Sequence, residues 1–396
     1  MRPAARAVVA GVVLAVLAGC TAGGQGPMPD GAATEGAAPS GGAGDHAQDP
    51  VRVDRPAERV DRLDVAVPAS VRDAVAVAPG WTARPVDVGG TLVGTREDDG
   101  TDLVLAVDGA GTVVWEAQRP AGTRLVPTRA GEEPVLVLAH AGADGATVAH
   151  GVDPATGTTL WGPLTVDGTL VGPGLVVEDA ERRSALDPAT GAPLAVDGTA
   201  VLEQDGTVVL SDGTTLRAVR AAEPGTPLWS VPQADLELDD GTPAAPADAA
   251  PPAGTALLAT GEAGTLLDLV DGTAIATGVT DARADSALGT VVALAPGRLS
   301  GHAARAAEGG DEELGPGRDV LWSREVRDGT RLAASTGALA YLRVDDAVLV
   351  VNALTGVDAV AYEETGGLPL AVPALAATTG AVVVRSDRWL VLVPAA

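Results

Sequence analysis

The chain has 396 residues, including 51 Gly and 29 Pro, a length that suits one large domain or two ordinary ones. All 26 of its Lys and Arg positions are Arg, which excludes a phosphate-loop lysine, a Schiff base and a Ser-x-x-Lys acyl-transfer site. The single Cys excludes an intrachain disulfide, a cysteine zinc site and an iron–sulfur cluster, and the net charge of −27 argues against a nucleic-acid partner.

The first nineteen residues have the features of a signal peptide. A short basic region precedes residues 7–18, an apolar segment that is too short to span a membrane as a mature helix. The segment runs into Leu-Ala-Gly-Cys, ending at Cys20, which resembles the lipobox of bacterial lipoproteins. The resemblance implies that residues 1–19 are removed and that lipidated Cys20 anchors the protein to the membrane. The alternative is an ordinary secretion signal with an incidental Cys.

Residues 20–66 are predicted to be a disordered linker that follows the anchor. Residues 21–50 are rich in Gly, Ala and Pro and contain almost no large apolar side chain, so burial cannot offset the entropy of ordering them. A flexible tether of this length reaches roughly 30 Å. After it, Ser70 is in a position to cap one short helical turn.

Residues 67–396 are predicted to form one all-β domain. Short Val-rich runs bounded by Gly, Asp or Pro are typical of strands, and no window shows a convincing helical period. The runs are residues 103–107, 134–139, 175–177, 208–210, 348–351 and 389–393.

A turn motif recurs between these strands. It begins with Asp or Asn, has Thr three residues later and Gly four residues later, and in one copy continues to a Trp. The Asp side chain can accept backbone N–H groups ahead of it, and Gly takes a left-handed conformation without steric cost, so each copy predicts a hairpin turn. The copies are Asp153, Thr156, Gly157 and Trp161; Asp187, Thr190 and Gly191; and Asn352, Thr355 and Gly356.

The motif resembles the repeat of the pyrroloquinoline-quinone-type (PQQ-like) β-propellers. The resemblance implies that a Trp on the outer strand of each blade packs against the neighbouring blade. One strand position recurs at intervals of 34 to 47 residues and predicts eight four-stranded blades, with seven as the alternative. Residues 370–394 supply three strands, and a strand within residues 80–88 is expected to complete the last blade and close the ring. The recurrent positions are Trp81, Trp115, Trp161, Ala195, Trp229, Ala276, Trp322 and Ala361.

Few candidates for a reactive site stand out. His140 and His150 flank a Gly-rich turn and are predicted to be exposed hairpin residues, because a metal would need a third ligand. His302 is assigned to a loop, since residues 235–252 and 302–318 are acidic, rich in Pro or Gly, and expected to lie at the surface. No Gly-x-Ser-x-Gly elbow is present, and no metal site is expected.

The predicted function follows from the anchor and the fold. Quinoprotein dehydrogenases resemble this fold, but the adjacent Cys pair that they place over the quinone has no counterpart here, so no PQQ or other cofactor is expected. We expect a monomeric, extracytoplasmic, lipid-anchored module that binds or scaffolds a protein or cell-envelope ligand on its propeller face. The alternative is an enzyme that uses the central funnel, either a quinoprotein-type oxidoreductase or a sugar-modifying activity.

Overall fold

The structure is a computed structural model that describes residues 48–142, 145–238, 254–285, 289–303, 320–345, 347–363 and 365–395. The chain divides into residues 1–44 and 45–396, and all described residues belong to the second unit. The predicted signal peptide, Cys20 and most of the predicted linker lie outside the described residues. Within the described part, the structure contains no helix that is long and apolar enough to cross a membrane.

The described residues are almost entirely strands and turns, with two short 3-10 helices, Ala69–Val71 and Gln233–Leu236. All six Val-rich runs lie on or overlap strands, which confirms the all-β prediction. The first strands are β1 (Val51–Pro56), β2 (Glu58–Arg59), β3 (Val75–Ala78), β4 (Val86–Val88), β5 (Thr91–Asp98), β6 (Thr101–Val107), β7 (Thr112–Pro120), β8 (Arg124–Ala130), β9 (Glu133–Ala141), β10 (Thr147–Val152), β11 (Thr159–Val166), β12 (Thr169–Val171), β13 (Val176–Glu178), β14 (Arg183–Ala185), β15 (Thr199–Gln204) and β16 (Thr207–Ser211). The remaining strands are β17 (Thr215–Arg220), β18 (Glu223–Pro232), β19 (Thr255–Ala259), β20 (Gly264–Asp268), β21 (Ala274–Val279), β22 (Asp281–Asp285), β23 (Thr290–Ala295), β24 (Arg298–Ala303), β25 (Val320–Glu325), β26 (Arg331–Thr336), β27 (Leu339–Val344), β28 (Ala347–Asn352), β29 (Pro373–Ala376), β30 (Val382–Arg385) and β31 (Trp389–Val393).

Among the described residues the strands form eight sheets, in which neighbouring strands are antiparallel. We number the sheets in chain order. The first is β1-β7-β6-β5-β4, the second β11-β10-β9-β8, the third β12-β13-β14, the fourth β15-β16-β17-β18, the fifth β19-β20-β21, the sixth β22-β23-β24-β25, the seventh β26-β27-β28 and the eighth β2-β3-β31-β30-β29.

Not every sheet has the four strands that the repeat predicted. In the third and seventh sheets a single bridge follows the turn where a fourth strand was expected, Leu186 to Pro193 and Val351 to Asp358. Pro193 lacks the N–H that a longer ladder would need. The first and eighth sheets instead have five strands, because β1 and β2 each add to an outer edge.

Each sheet packs against the next through a buried apolar cluster, and the last sheet packs against the first. Leu136 and Leu138 of the second sheet meet Trp115 of the first, for example. The order closes where Val383 and Val391 of the eighth sheet meet the first. A face-to-face series of antiparallel sheets that returns to its start is a β-propeller-like fold.

The N-terminal segment completes the closed series of sheets, but the strand that does so is not the one predicted from the sequence. The strand that completes the eighth sheet is β3, which pairs with β31, whereas β4 within residues 80–88 belongs to the first sheet. β1 and β2 also lie inside residues 20–66, the predicted linker, so the ordered unit begins earlier than residue 67. Charged residues outnumber apolar ones in β1 and β2, so the composition does not predict strands. These segments are ordered because β1 pairs with β7 and β2 pairs with β3.

Two local predictions need correction. The predicted turn near Ser70 is the 3-10 helix Ala69–Val71, but Pro68 occupies its N-cap and makes no side-chain capping bond. The loop predicted from residue 235 begins later, because Leu236 and Leu238 are buried against the fourth and fifth sheets. Residues 239–253 and 304–319, most of the two predicted loops, lie outside the described residues.

Candidate functional site

The repeated turns have the hydrogen bonds that their sequence predicted. The Asp153 carboxylate accepts the backbone N–H groups of Ala155 and Thr156 at 2.8 and 3.1 Å, and its carbonyl accepts the N–H of Gly157 at 2.8 Å. In the second copy, the Asp187 carbonyl accepts the N–H of Gly191 at 2.7 Å. The threonine hydroxyls of these two copies also bond within the turns: Thr156 donates to Thr158, and Thr190 donates to Asp187.

Four tryptophans each join one sheet to such a turn in the next sheet. In each joint the indole Nε1–H donates to a backbone carbonyl at the start of the turn. Trp115 donates to Pro154 at 2.7 Å and Trp161 donates to Pro188 at 2.8 Å. The other two joints, also at 2.8 Å, run from Trp229 to Leu269 and from Trp322 to Ala353. The indole thus fills the space between sheets while its one polar atom is paired.

The glycine of each turn is needed for the same contact. Gly191 has φ +73°, and a Cβ there would lie 2.4 Å from Trp161 Cζ3. Gly157 is placed in the same way against Trp115, with φ +73° and 2.8 Å to Cγ. Each glycine therefore provides both a left-handed backbone and room for the indole.

One joint was missed in the sequence. Trp229 docks on a turn that begins at Asp268, whose carbonyl accepts the N–H of Gly272 at 2.9 Å. A Cβ on Gly272 would lie 2.6 Å from the Trp229 ring. The signal was available, because the spacing from Asp268 to Gly272 equals that from Asp153 to Gly157. The turn was not recognised because Val270 and Asp271 stand where the copy at Asp153 has Ala155 and Thr156.

Of the three histidines predicted to be exposed or in a loop, His150 and His302 are buried in strands, and His140 is half-buried in β9. His150 lies in β10, where Arg119 donates to Nδ1 at 3.1 Å, so the ring proton sits on Nε2 and faces the Thr159 hydroxyl at 3.1 Å. Burial, together with Arg119, lowers the pKa of His150. His302 lies in β24 with Nε2 2.9 Å from the Ser300 hydroxyl. No group of three His, Cys, Asp or Glu side chains in the described part of the chain is placed to hold a metal.

Glu203 is a fully buried carboxyl group that links three sheets. It lies in β15 of the fourth sheet, and its Oε1 accepts the Thr128 hydroxyl at 2.6 Å and the Gly206 N–H at 3.0 Å. Its Oε2 accepts the Leu175 N–H at 3.0 Å. Burial outweighs these three donors and raises the pKa of Glu203 to about 7.

One cavity has a volume of about 630 Å³. The first, fifth, sixth and seventh sheets or the residues beside them supply its wall. Since the first and fifth sheets are not neighbours in the packing order, the cavity lies inside the closed series of sheets. Four of its lining residues are arginines, Arg84, Arg283, Arg331 and Arg343, and one is acidic, Asp281. We call this the arginine cavity.

Two of these arginines are held in place by defined contacts. Arg283 Nη1 donates to Asp281 Oδ1 at 2.5 Å and to the Ala282 carbonyl at 2.8 Å, while Arg84 donates to the Ala374 carbonyl at 2.6 Å. Burial lowers the pKa of Arg84, and the positive charge of Arg283 adds to the effect. Burial also raises the pKa of Asp281, which the arginines oppose. The cavity therefore concentrates positive charge in a partly desolvated place.

Comparisons with known proteins give weak structural likenesses. No protein-family model matches the chain, and no curated protein sequence matches it. The dihydro-heme d1 dehydrogenase NirN is 11% identical, with a TM-score of 0.42 over 81% of this chain and 79% of that one. Hsv2p of Kluyveromyces lactis is 10% identical, with a TM-score of 0.36 over 73% of this chain and 100% of that one. At TM-scores below 0.5 these likenesses carry no argument about the ligand or activity of this chain.

Proposed function

We propose that this chain is a lipid-anchored, extracytoplasmic, eight-bladed β-propeller that binds or scaffolds a protein or cell-envelope ligand. The observation that carries the proposal is the closed packing order of the described sheets, in which the eighth packs on the first. Such closure limits the exposed edges that would pair with other chains, and it leaves the loop-bearing faces for binding. The eight described sheets support a count of eight blades over seven.

The Trp joints support assignment of the repeat to the PQQ-like type. In four of the sheet-to-sheet contacts, a Trp donates to the first carbonyls of the next turn and covers its glycine. That arrangement fixes neighbouring sheets to one another, which suits a rigid platform. The resemblance is to the repeat alone, and we propose no quinone cofactor.

The anchor rests on the sequence that ends at Cys20. Mass spectrometry of the full chain expressed in a bacterium with lipoprotein processing should show a mature N-terminus at Cys20 that carries acyl groups. Wild type should fractionate with membranes, and Cys20→Ser should not, because the several acyl chains of a lipoprotein anchor a protein stably. An unmodified Cys20, or cleavage at another position, would contradict the anchor.

The binding role calls for a separate experiment. The full chain and its Cys20→Ser variant serve as matched baits for cross-linking in membrane extracts, because both retain the same β domain. A partner of the domain should be enriched by both baits and displaced by excess unlabelled protein. Enrichment by the lipidated bait alone, or no enrichment above background, would contradict a binding or scaffolding module.

A further inference from the structure

The arginine cavity reverses the charge balance of the rest of the chain. Acidic residues outnumber basic ones by 53 to 26 in the whole sequence, yet four arginines and one Asp line this cavity. Like charges that are brought together in a concave site repel one another more strongly than on an open surface. The average composition of the chain therefore does not explain the cluster of positive charge in this cavity.

Arg331 and Arg343 show the repulsion most directly. They are Cα partners in the antiparallel pair of β26 and β27, so they stand directly opposite each other. Like charges in that position destabilise a sheet. Among the described residues, no acidic side chain forms an ion pair with either of them. The side chains of both arginines are exposed, so a solute that enters the cavity can reach them.

Arg283 adds an unused donor. Its Nη1 is occupied by Asp281 and Ala282, but its Nε is buried and has no hydrogen-bond partner among the described groups. The ion pair with Asp281 fixes the orientation of the guanidinium, whose side chain is 13% exposed. A guanidinium that is already held in one orientation pairs with an acceptor oxygen at lower entropic cost than a mobile one.

We propose that the arginine cavity binds a small oxyanion that carries at least two negative charges, of the phosphate or polycarboxylate class. Guanidinium groups donate paired N–H bonds to the oxygens of both classes. A cavity of about 630 Å³ is within the range of small-ligand sites. The site goes beyond the proposed function, because it uses neither the lipid nor an outer face of the domain, and it stands whether or not Cys20 is modified.

Calorimetric titration of the full chain at low salt with pyrophosphate, and separately with citrate, tests the proposal. We expect saturable binding of one anion per chain, which weakens as sodium chloride is added. Arg331→Gln and Arg343→Gln should each weaken binding at least about tenfold, since each removes a charged donor. Arg182→Gln is the matched control, because it removes an exposed arginine in the turn at Asp179 that is not among the residues lining the cavity.

Thermal unfolding distinguishes lost binding from lost folding. Without ligand, the double variant Arg331→Gln with Arg343→Gln should melt at a higher temperature than wild type, because the repulsion between them is removed. With ligand, only wild type and Arg182→Gln should be stabilised further. Binding of pyrophosphate alone or citrate alone would support the site and identify the anion class. No binding of either, or equal weakening by Arg182→Gln, would overturn it, and neither result depends on the membrane cross-linking experiment.

Discussion

Glu203 makes the stability of the fold depend on pH through one residue. Its pKa rises from 4.5 to about 7 on folding, so between these values the native state holds a proton that the unfolded chain has released. The free energy of unfolding therefore falls as pH rises through this window, by about 3 kcal/mol for a shift of this size. Glu203→Gln stays neutral and should lose this dependence. Urea unfolding at pH 5 and pH 7.5 measures the difference.

The many other carboxylates of this acidic chain also affect stability as pH rises, so the Glu203 experiment needs a matched variant. Glu181→Gln removes one exposed carboxylate and should keep the wild-type difference between the two pH values. If Glu203→Gln and Glu181→Gln show the same pH dependence, the buried carboxyl does not titrate as described.

The burial of Glu203 could have been predicted from the sequence, whereas the arginine cavity could not. Glu203 directly follows the apolar residues 200–202 in β15, and all four residues are buried. A charged side chain on a core-facing position is a visible anomaly. Arg84 and Arg343, in contrast, come from distant segments that only the closed packing order brings together. No local pattern of period or spacing contains that information.

At the scale of the elements, the contact between Trp161 and Gly191 tests how neighbouring sheets are joined. Gly191→Ala places a Cβ at φ +73° and 2.4 Å from the indole. Gly122→Ala has nearly the same backbone conformation, φ +78°, with nothing within 4 Å of the added carbon. Both variants incur the backbone strain, but only Gly191→Ala adds overpacking, which costs about 1–3 kcal/mol more. Denaturant unfolding of the two variants gives this difference.

A double-mutant cycle assigns that cost to the indole. In a Trp161→Leu background the ring is gone, so Gly191→Ala should become no more costly than Gly122→Ala. Trp161→Leu itself should destabilise the protein, because it removes a buried aromatic group and the donor to Pro188. An unchanged cost of Gly191→Ala in that background would show that the strain arises elsewhere in the turn.

Three of the turns were predictable to the residue because their hydrogen bonds are local. Asp153 and Gly157 are four positions apart and bond to each other, so the sequence alone contains the whole interaction. The burial of His150 was not predictable in this way. Its neighbours make it part of the interior: Arg119 belongs to β7 of the first sheet and Thr159 belongs to β11, and the sequence of the hairpin that joins β9 and β10 indicates neither contact.

For the whole molecule, closure depends on a strand from the opposite end of the chain. β3 pairs with β31, and Val77 is buried where the eighth sheet meets the first. Closure by an N-terminal strand was predictable from the three C-terminal strands left over, but the responsible residues were not. Val75–Ala78 is a short run of four residues, and it lies before Trp81, the first recurrent position of the repeat.

Truncation tests this closure. Removal of residues 1–47 leaves every described strand in place and should not change the unfolding transition. Removal of residues 1–79 deletes β1, β2 and β3, exposes the edges of β31 and β7, and uncovers apolar surface that includes Val77. Loss of several buried apolar side chains costs about 5 kcal/mol or more, at roughly 1.5–3 kcal/mol each, a large part of the stability of a typical domain. The shorter chain should therefore melt at a clearly lower temperature and associate through its open edges in sedimentation experiments. Equal melting temperatures and monomeric behaviour for both truncations would show that the eighth sheet is complete without the N-terminal strands.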